Sequence, residues 1–512
     1  MKTSPSRIQH LLTRIESAGN RLPDPTMIFV ILCGVILAVS GIASWLSVSA
    51  VHPVDGSTIH AVNLLNTEGL QNILTKAVSN FTQFAPVGTV LVAIMGIAVA
   101  EHSGLLRCVL TQTVLRAPRQ LMTFAVVLAG ILSSLAADTG YVVLVPLAAM
   151  IFLAAGRHPL AGIAAAFAGV SGGYSANLMI GPLDAILAGI STEAAALIDP
   201  TYEVSVAGNY YFIIVSTFLI AAAGTWVTER IIAPRLGDYG ASTDDAGIPA
   251  LTDVERSGLK QVGLFTLLTV ALLLIATVPE QGVLRDLETG SLLRSPFISG
   301  LVVIISVYAA IAGWIFGRAA QTFKQSRDFV LAMDKGMATM ASYLVLMFFA
   351  AQFVNYFGWS QLGAIAAIKG AEFLQLLAPP APVLLVCFVV MAAFINLLVG
   401  SASAKWALIA PIFVPMFLLS GISPEATQVA YRVGDSVTNI ITPLMPYFGV
   451  VVAFTRQYDE EAGIGTLIAM MLPYSVAFLL LWSVLLIGWI VGGFPLGPGA
   501  EVFISTGTQL SN

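Results

Sequence analysis

Charge is what this sequence has least of: 10% of its 512 residues are Asp, Glu, Lys or Arg, against 57% hydrophobic. Soluble domains carry roughly 25% charged residues, so a water-exposed globular surface is excluded and the chain is expected to sit in a membrane. Cysteine is scarce too. Cys33, Cys108 and Cys387 lie far apart in or beside apolar segments, without the spacing of a disulfide framework or a metal cluster, and are expected to pack. The five histidines, at 10, 52, 60, 102 and 158, fall in or next to loops, which leaves an intramembrane protease built on Gly169-Val170-Ser171-Gly172 without a base. No G-x-x-x-x-G-K-[ST] loop occurs and no polar stretch would hold a nucleotide-binding domain, so ATP-driven pumping is excluded. Nothing supports nucleic-acid binding, and no enzymatic activity or cofactor is expected. The polar start of the chain, with Lys2, Arg7, Arg14 and Arg21, lacks an apolar core followed by a small-residue cleavage site; no cleaved signal is expected.

What the sequence does have is long apolar runs, and the bilayer hydrocarbon takes about 20 helical residues to cross. Spans are expected at 26–48, 84–100, 159–189, 209–228, 262–279, 297–316, 337–357, 427–454 and 464–492. Two further apolar stretches, 121–156 and 382–420, are interrupted near their middles by small polar residues and are expected to be re-entrant hairpins. Arg116 and Arg119 before the first and Arg157 after it put both its mouths on the cytoplasmic side. The second leaves through a Gly421–Gln428 loop without Lys or Arg and is expected to open outside. With the N-terminus inside, all but six of the 23 Lys and Arg residues are cytoplasmic: Lys76, Arg285, Arg294 and Lys369 lie outside, Lys405 and Arg432 within the membrane. This satisfies the positive-inside rule. The reading is an all-α polytopic membrane protein with nine transmembrane helices and two opposed re-entrant hairpins. Residues 1–25 are expected to form a cytoplasmic segment, 26–492 the transmembrane domain, 229–261 a charged cytoplasmic connection and 493–512 an external tail.

Opposed hairpins suggest an inverted repeat. In the first half, Ala137-Asp138-Thr139-Gly140-Tyr141 precedes Pro146, then Ser175-Ala176-Asn177 and Gly181-Pro182; in the second, Ala402-Ser403-Ala404-Lys405-Trp406 precedes Pro411, then Thr438-Asn439 and Pro443. The repeated core spans about 121–189 and 382–454, with the other helices as scaffold. Within it, Gly169 to Asn177 and Gly434 to Pro443 place Gly, Pro, Ser, Thr and Asn where an apolar helix would run. Two broken helices are expected there. Freed backbone groups at membrane depth must line a cavity or be buried in protein, and paired breaks of this kind form substrate and ion sites in secondary carriers.

Five ionisable residues fall inside these segments: Asp138, Asp184, Lys405, Arg432 and Asp435. Such groups are costly at membrane depth and are usually paired or functional. Arg432 and Asp435, three apart, share a helix face and are expected to pair. Asp184, seven residues after Asn177, is the first choice for ion coupling, with Asp435 beside it. Asn177, Asn396 and Asn439 are candidate cation ligands, with Na+ at Asn396, Asn439 and Asp435 as one possibility and H+ as the other. An interhelical hydrogen bond is the competing role for each asparagine. Asp138, Thr139, Ser401 and Lys405 mark the hairpin tips, and Trp406 is a candidate to stack on an aromatic substrate, with an interfacial anchor as its competing role.

From Gly19-Asn20-Arg21-Leu22-Pro23-Asp24-Pro25 to Arg432-Val433-Gly434-Asp435-Ser436-Val437-Thr438-Asn439-Ile440-Ile441-Thr442-Pro443, the chain resembles the p-aminobenzoyl-glutamate transporter (AbgT) family. The resemblance implies a dimeric carrier of the bacterial inner membrane with nine transmembrane helices and two hairpins. It also implies a small aromatic substrate, either p-aminobenzoyl-glutamate taken up or sulfonamide antimetabolites and related folate precursors exported on an ion gradient. It assigns Asp184, Ser403, Trp406, Arg432, Asp435 and Pro443 to the substrate pathway and Asn396 to the neighbourhood of a cation site. A passive channel is the alternative that only coupled flux separates from a carrier.

Overall fold

The computed structural model describes residues 25–51, 56–115, 118–134, 140–237, 239, 251–279, 281–286, 289–290, 295–445 and 447–504. The expected cytoplasmic segment lies almost wholly outside them, as do the hairpin-tip residues Asp138 and Thr139. The protein is a helical, polytopic membrane protein. Eight helices among the described residues are long and apolar enough to cross a bilayer: Thr26–Trp45, Thr67–His102, Tyr210–Leu236, Asp253–Thr277, Leu301–Ala319, Ala341–Trp359, Ala402–Leu419 and Ile464–Gly492. Seven of these overlap an expected span. The eighth, Ala402–Leu419, follows Ala381–Asn396 within the stretch that was expected to form the second hairpin. The two expected spans missing from the eight are the broken ones, each divided into pieces too short to qualify.

The first break begins as a widened turn. After Pro159–Phe167 the helix widens over Ala168–Gly172 and is lost until Pro182 starts the Pro182–Ala195 helix. Glycine permits the crowding here: a Cβ on Gly169 would lie 2.3 Å from the Val127 carbonyl oxygen, so the hairpin arm Met122–Ser133 packs backbone to backbone against the widened turn. The second break falls later than its glycine suggested. Pro424–Thr438 stays helical through Gly434, and the described residues from Asn439 to Met445 are non-helical, ahead of Phe448–Arg456. The role of Gly434 is close packing: a Cβ there would meet the Val389 carbonyl oxygen at 2.3 Å, so this helix seats directly on Ala381–Asn396. The break itself follows where Asn439, Thr442 and Pro443 supply neither helix propensity nor, at the proline, a donor.

Both halves thus run helix, helix, broken helix, and the elements of the two halves interlock. Ala402–Leu419 packs on Pro182–Ala195, and Pro424–Thr438 packs on Pro182–Ala195 and on the Ala168–Gly172 turn. All fifteen residues of Pro424–Thr438 are buried. A second group of helices surrounds this core. Ala85–His102 and Leu301–Ala319 meet at Gly96, where a Cβ would be 1.9 Å from the Ser306 carbonyl oxygen, and Asp253–Thr277 lies outside them, burying only Gly258 and Val262. Several helices of the structure were not expected, because they are amphipathic or short: Thr67–Thr82, Leu105–Leu115, Ser326–Thr339 and Leu362–Leu377. The connection after Tyr210–Val227 is held to the core by an Arg157–Glu229 pair at 2.8 Å. Residues 493–504 are not a loose tail: Ser423 N–H donates to the Val502 carbonyl at 3.0 Å and Tyr211 N–H to that of Leu496 at 2.9 Å. This strap lies at the end of the molecule where Pro424–Thr438 begins.

Candidate functional site

The interlocked core brings four of the five expected intramembrane ionisable residues together as two ion pairs, and the partners differ from those the spacing suggested. Arg432 does not pair with Asp435 on its own helix. Its Nη2 donates to Asp184 Oδ1 at 2.5 Å, while Asp435 Oδ1 takes the Lys405 ammonium at 2.5 Å. The reason is direction: three residues apart on one face, both side chains reach outward to opposite neighbours, Arg432 toward the first half and Asp435 toward the hairpin. Each bridge therefore ties Pro424–Thr438 to another element. The Lys405–Asp435 side chains are 1% exposed, so neither charge is hydrated and each depends on the other.

Asp184 is fixed by its place in the first turn of Pro182–Ala195. Its Oδ2 accepts the Gly181 N–H at 2.7 Å, completing the helix N-terminus and leaving Oδ1 for Arg432. It does not continue a helix from Asn177, which lies in the extended stretch. The two still line one cavity, together with Ser134, Tyr174, Ser175 and Arg432. The free volume is about 20 Å³, room for one water and far less than an aromatic ligand needs. Arg432 Nε and the Ser175 hydroxyl are buried without a hydrogen-bond partner, so the cavity keeps a cationic donor and a hydroxyl unspent; the Ser171 hydroxyl, in the widened turn, is likewise buried and unpartnered.

Asn177 shapes the break. Its Nδ2 donates to Ser134 Oγ at 2.9 Å, and its Oδ1 accepts the Leu178 and Met179 N–H groups. Asn396, at the end of the first arm of the second hairpin, is the centre of a denser network. Its Nδ2 faces the Asp435 carbonyl at 2.6 Å, Thr438 Oγ1 at 2.8 Å and Asn439 Oδ1 at 2.8 Å, and its Oδ1 accepts from Lys405 Nζ. Asn439 in turn donates to the Ser171 carbonyl at 3.4 Å, and Ser436 Oγ accepts the Ser175 N–H at 3.2 Å. These contacts join the two breaks directly. Ser401 caps the Ala402–Leu419 helix, accepting the Ala404 N–H, and lies 3.3 Å from Ser403. Pro443 is half-buried in the second break, where a Cβ on Gly400 would be 2.6 Å from the Leu444 carbonyl oxygen.

Trp406 is fully buried. Its Nε1 donates to Ser191 Oγ at 3.0 Å and the Leu187 carbonyl at 3.2 Å, and its ring stacks on Tyr431 with centroids 4.6 Å apart. Tyr431, which sequence reasoning missed, also donates to the Ala402 carbonyl and lies 3.1 Å from Asp435 Oδ1. Other residues were missed as well. Gln428 Nε2 donates to Ser191 Oγ, Asn209 Nδ2 donates to Gln428 Oε1, and buried Glu425 accepts from Tyr202 OH at 2.8 Å. The signal was available: Glu425, Gln428, Arg432, Asp435 and Asn439 follow one another by three or four residues, a polar stripe on one helix face.

Residues 10–504 match the family described as "AbgT putative transporter family". The p-aminobenzoyl-glutamate transport protein of Escherichia coli (strain K12) is 35% identical over 485 residues, 95% of each chain. Among solved structures, the Alcanivorax borkumensis YdaH transporter, described as having an unusual topology, is 52% identical; it covers 93% of this chain and is itself wholly covered, with a TM-score of 0.89. The Neisseria gonorrhoeae protein MtrF, described as illuminating a class of antimetabolite efflux pumps, is 47% identical over 96% of this chain and all of its own, with a TM-score of 0.91. An interlocked helical core with a buried polar stripe, matched nearly end to end by a family of transporters, makes this chain a multi-pass membrane protein of the AbgT transporter family.

Proposed function

We propose that the protein is an ion-coupled secondary carrier of p-aminobenzoyl-glutamate or related aromatic folate precursors and sulfonamide antimetabolites, working by alternating access as a homodimer in the bacterial inner membrane. The observation that carries this reading is the Arg432–Asp184 pair lining one cavity with the unpartnered Ser175 hydroxyl, at the junction of two helix breaks. A guanidinium is suited to a carboxylate or sulfonyl oxygen through its fork of donors. An anionic substrate group that replaces Asp184 as its partner frees that carboxylate to take up H+ or Na+, which links substrate binding to ion binding. With about 20 Å³ free, substrate entry requires the hairpin and broken helices to separate, and separation toward one face at a time is alternating access. Trp406, released from Tyr431, offers the aromatic ring a stacking face.

The test is flux of labelled p-aminobenzoyl-glutamate and of a sulfonamide in proteoliposomes, with pH and Na+ gradients imposed separately, for wild type and Asp184→Asn. The expected result is wild-type flux that follows one gradient and loses that dependence in the variant. The direction in which accumulation develops identifies importer or exporter. Flux that ignores both gradients would establish a passive channel in place of a carrier.

A further inference from the structure

Glu425 is a buried carboxyl that the Arg432–Asp184 and Lys405–Asp435 pairs leave unused. It stands in the first turn of Pro424–Thr438, 5% exposed, and its Oε2 accepts from Tyr202 OH at 2.8 Å. Tyr202 belongs to the connection 196–209, and the 493–504 strap fastens the end of that connection to the start of the helix. At one end of the strap, the Leu496 carbonyl accepts the Tyr211 and Phe212 N–H groups at 2.9 and 3.2 Å. At the other, the Val502 carbonyl accepts the Ser423 N–H and the Ile504 N–H donates to the Gly421 carbonyl, both at 3.0 Å. Between these anchors the layers touch. A Cβ on Gly497 would lie 2.1 Å from the Ala207 carbonyl oxygen, and one on Gly208 would lie 2.9 Å from Glu425 Cγ, so Glu425 is one peptide layer beneath the strap. We infer that Glu425 is a proton-binding site, and that its proton keeps the strap seated over the start of Pro424–Thr438.

The chemistry around the carboxyl calls for its neutral form. Residues 196–209, 420–431 and 493–504 hold no Lys, Arg or His, and the charged side chains they add are all acids: Asp199, Glu203 and Glu501. The helices that pack most extensively on Pro424–Thr438 bring Asp184, Glu193 and Lys405. Asp184 is held by Arg432, Glu193 accepts the Ala85 N–H at 3.1 Å, and Lys405 is held by Asp435, about 15 Å further along the helix from Glu425. Among the described residues, none of these elements supplies a cation to Glu425. A carboxylate buried without a cation loses hydration that nothing replaces, so the closed strap favours the acid form. Ionisation demands water, and water enters only if strap and connection part. In the open form the hydrated carboxyl ionises near its ordinary value of about 4.3, and in the closed form it holds its proton to higher pH. Closure therefore takes up a proton, and its stability falls as pH rises above that value. The effect reaches the candidate substrate site. Gln428, one turn beyond Glu425, accepts from Asn209 Nδ2 and donates to the Ser191 hydroxyl that also accepts from Trp406 Nε1. Release of the connection withdraws Asn209 from this chain, so the proton at Glu425 helps to hold the Trp406 ring in place.

The inference rests on the carrier reading only for its consequence, that opening at this end of the molecule releases a proton. Its test needs no flux. Hydrogen exchange of peptides covering 421–424 and 493–504 is followed in the full-length protein from about pH 5 upward, with rates corrected for the intrinsic pH dependence of exchange. Wild type, Glu425→Gln and Glu501→Gln are compared. Wild-type protection is expected to fall with rising pH by up to about tenfold per unit, the limit for one proton. Glu425→Gln, whose neutral amide still accepts from Tyr202, is expected to keep high protection throughout, and Glu501→Gln, at an exposed position of the strap, to follow wild type. A flat wild-type profile, a wild-type slope retained in Glu425→Gln, or a slope abolished by Glu501→Gln would each overturn the inference. Where Glu425→Gln does not fold, Tyr202→Phe takes its place: without the donor an ionised carboxyl costs more in the closed form, so the fall in protection extends to higher pH, and an unmoved profile would overturn the inference as well. Loss of gradient-driven flux in every preparation would defeat the carrier reading and leave the exchange result intact.

Discussion

Helices Pro424–Thr438 and Asp253–Thr277 answer opposite solvation problems. The first buries all fifteen of its residues, among them Glu425, Gln428, Arg432 and Asp435, whereas the second, with 25 residues, buries two and exposes Leu264, Leu267, Leu268, Leu272 and Ile275. Polarity is thus inverted relative to a soluble protein. Charge collects inside, where partners and a cavity satisfy it, and leucine collects outside, where lipid does. The lesson is that the most polar helix in a membrane protein is the one to examine for function, while the most apolar tells mainly where the molecule ends.

The comparison is broken most severely by removing one charge from the inner helix. Arg432→Ala strands the Asp184 carboxylate in a site where it is 9% exposed. Breaking a buried pair in this way costs about 3–5 kcal/mol, so a large fall in melting temperature is expected together with loss of flux in proteoliposomes. The neutral double variant Asp184→Asn with Arg432→Gln is expected to recover much of the melting temperature and none of the flux. Recovery of flux would show that the pair serves structure alone. Next in size is Gly434→Ala. The added Cβ would lie 2.3 Å from the Val389 carbonyl oxygen and 2.7 Å from Ala392 Cβ, and backbone cannot yield as a side chain does. Overpacking of this kind costs about 1–3 kcal/mol, read as a lowered melting temperature and slower flux. A smaller loss is expected for Ser191→Ala, which removes the hydroxyl shared by Trp406 Nε1 and Gln428 Nε2. At about 1 kcal/mol for a hydrogen bond and more for donors left buried, it should lower stability modestly and raise KM if Trp406 is held ready for an aromatic ligand.

These effects also explain what was legible in the sequence. Apolar runs and sparse charge disclose the membrane class, and clusters of Gly, Ser, Asn and Pro disclose both breaks, because propensity and membrane depth act locally along the chain. Pairing is a different kind of information. Arg432 and Asp435 looked like partners at a spacing of three, but the choice among carboxylates depends on which helices are brought beside them, and Asp184 is 248 residues away. Gly434 was misread for the same reason: a glycine that loosens a helix and one that admits a neighbouring backbone are identical in sequence. Helices such as Leu362–Leu377, interrupted by Lys369 and Glu372, escaped notice because those two residues form an exposed pair at 3.0 Å with each other, which keeps their charge away from the apolar face.

The smallest expected effect sharpens the comparison from the outer side. Gly263, on Asp253–Thr277, is exposed and an added Cβ would meet nothing within 4 Å. Alanine favours a helix interior over glycine by about 0.5–1 kcal/mol in water. That gain shrinks in a bilayer, where the unpacked segment also stays helical because its backbone has no water to bond with. Gly263→Ala should therefore leave melting temperature and flux within experimental error, an effect of at most about 0.5 kcal/mol. The same substitution two ways, costly at 434 and silent at 263, is the comparison reduced to one methyl group. If the methyl at 263 instead lowers the melting temperature as the one at 434 does, the face that carries it is packed against protein and not lipid. Cross-linking of cysteines introduced at Leu267 and Leu272 would then identify that protein as a second copy of this chain.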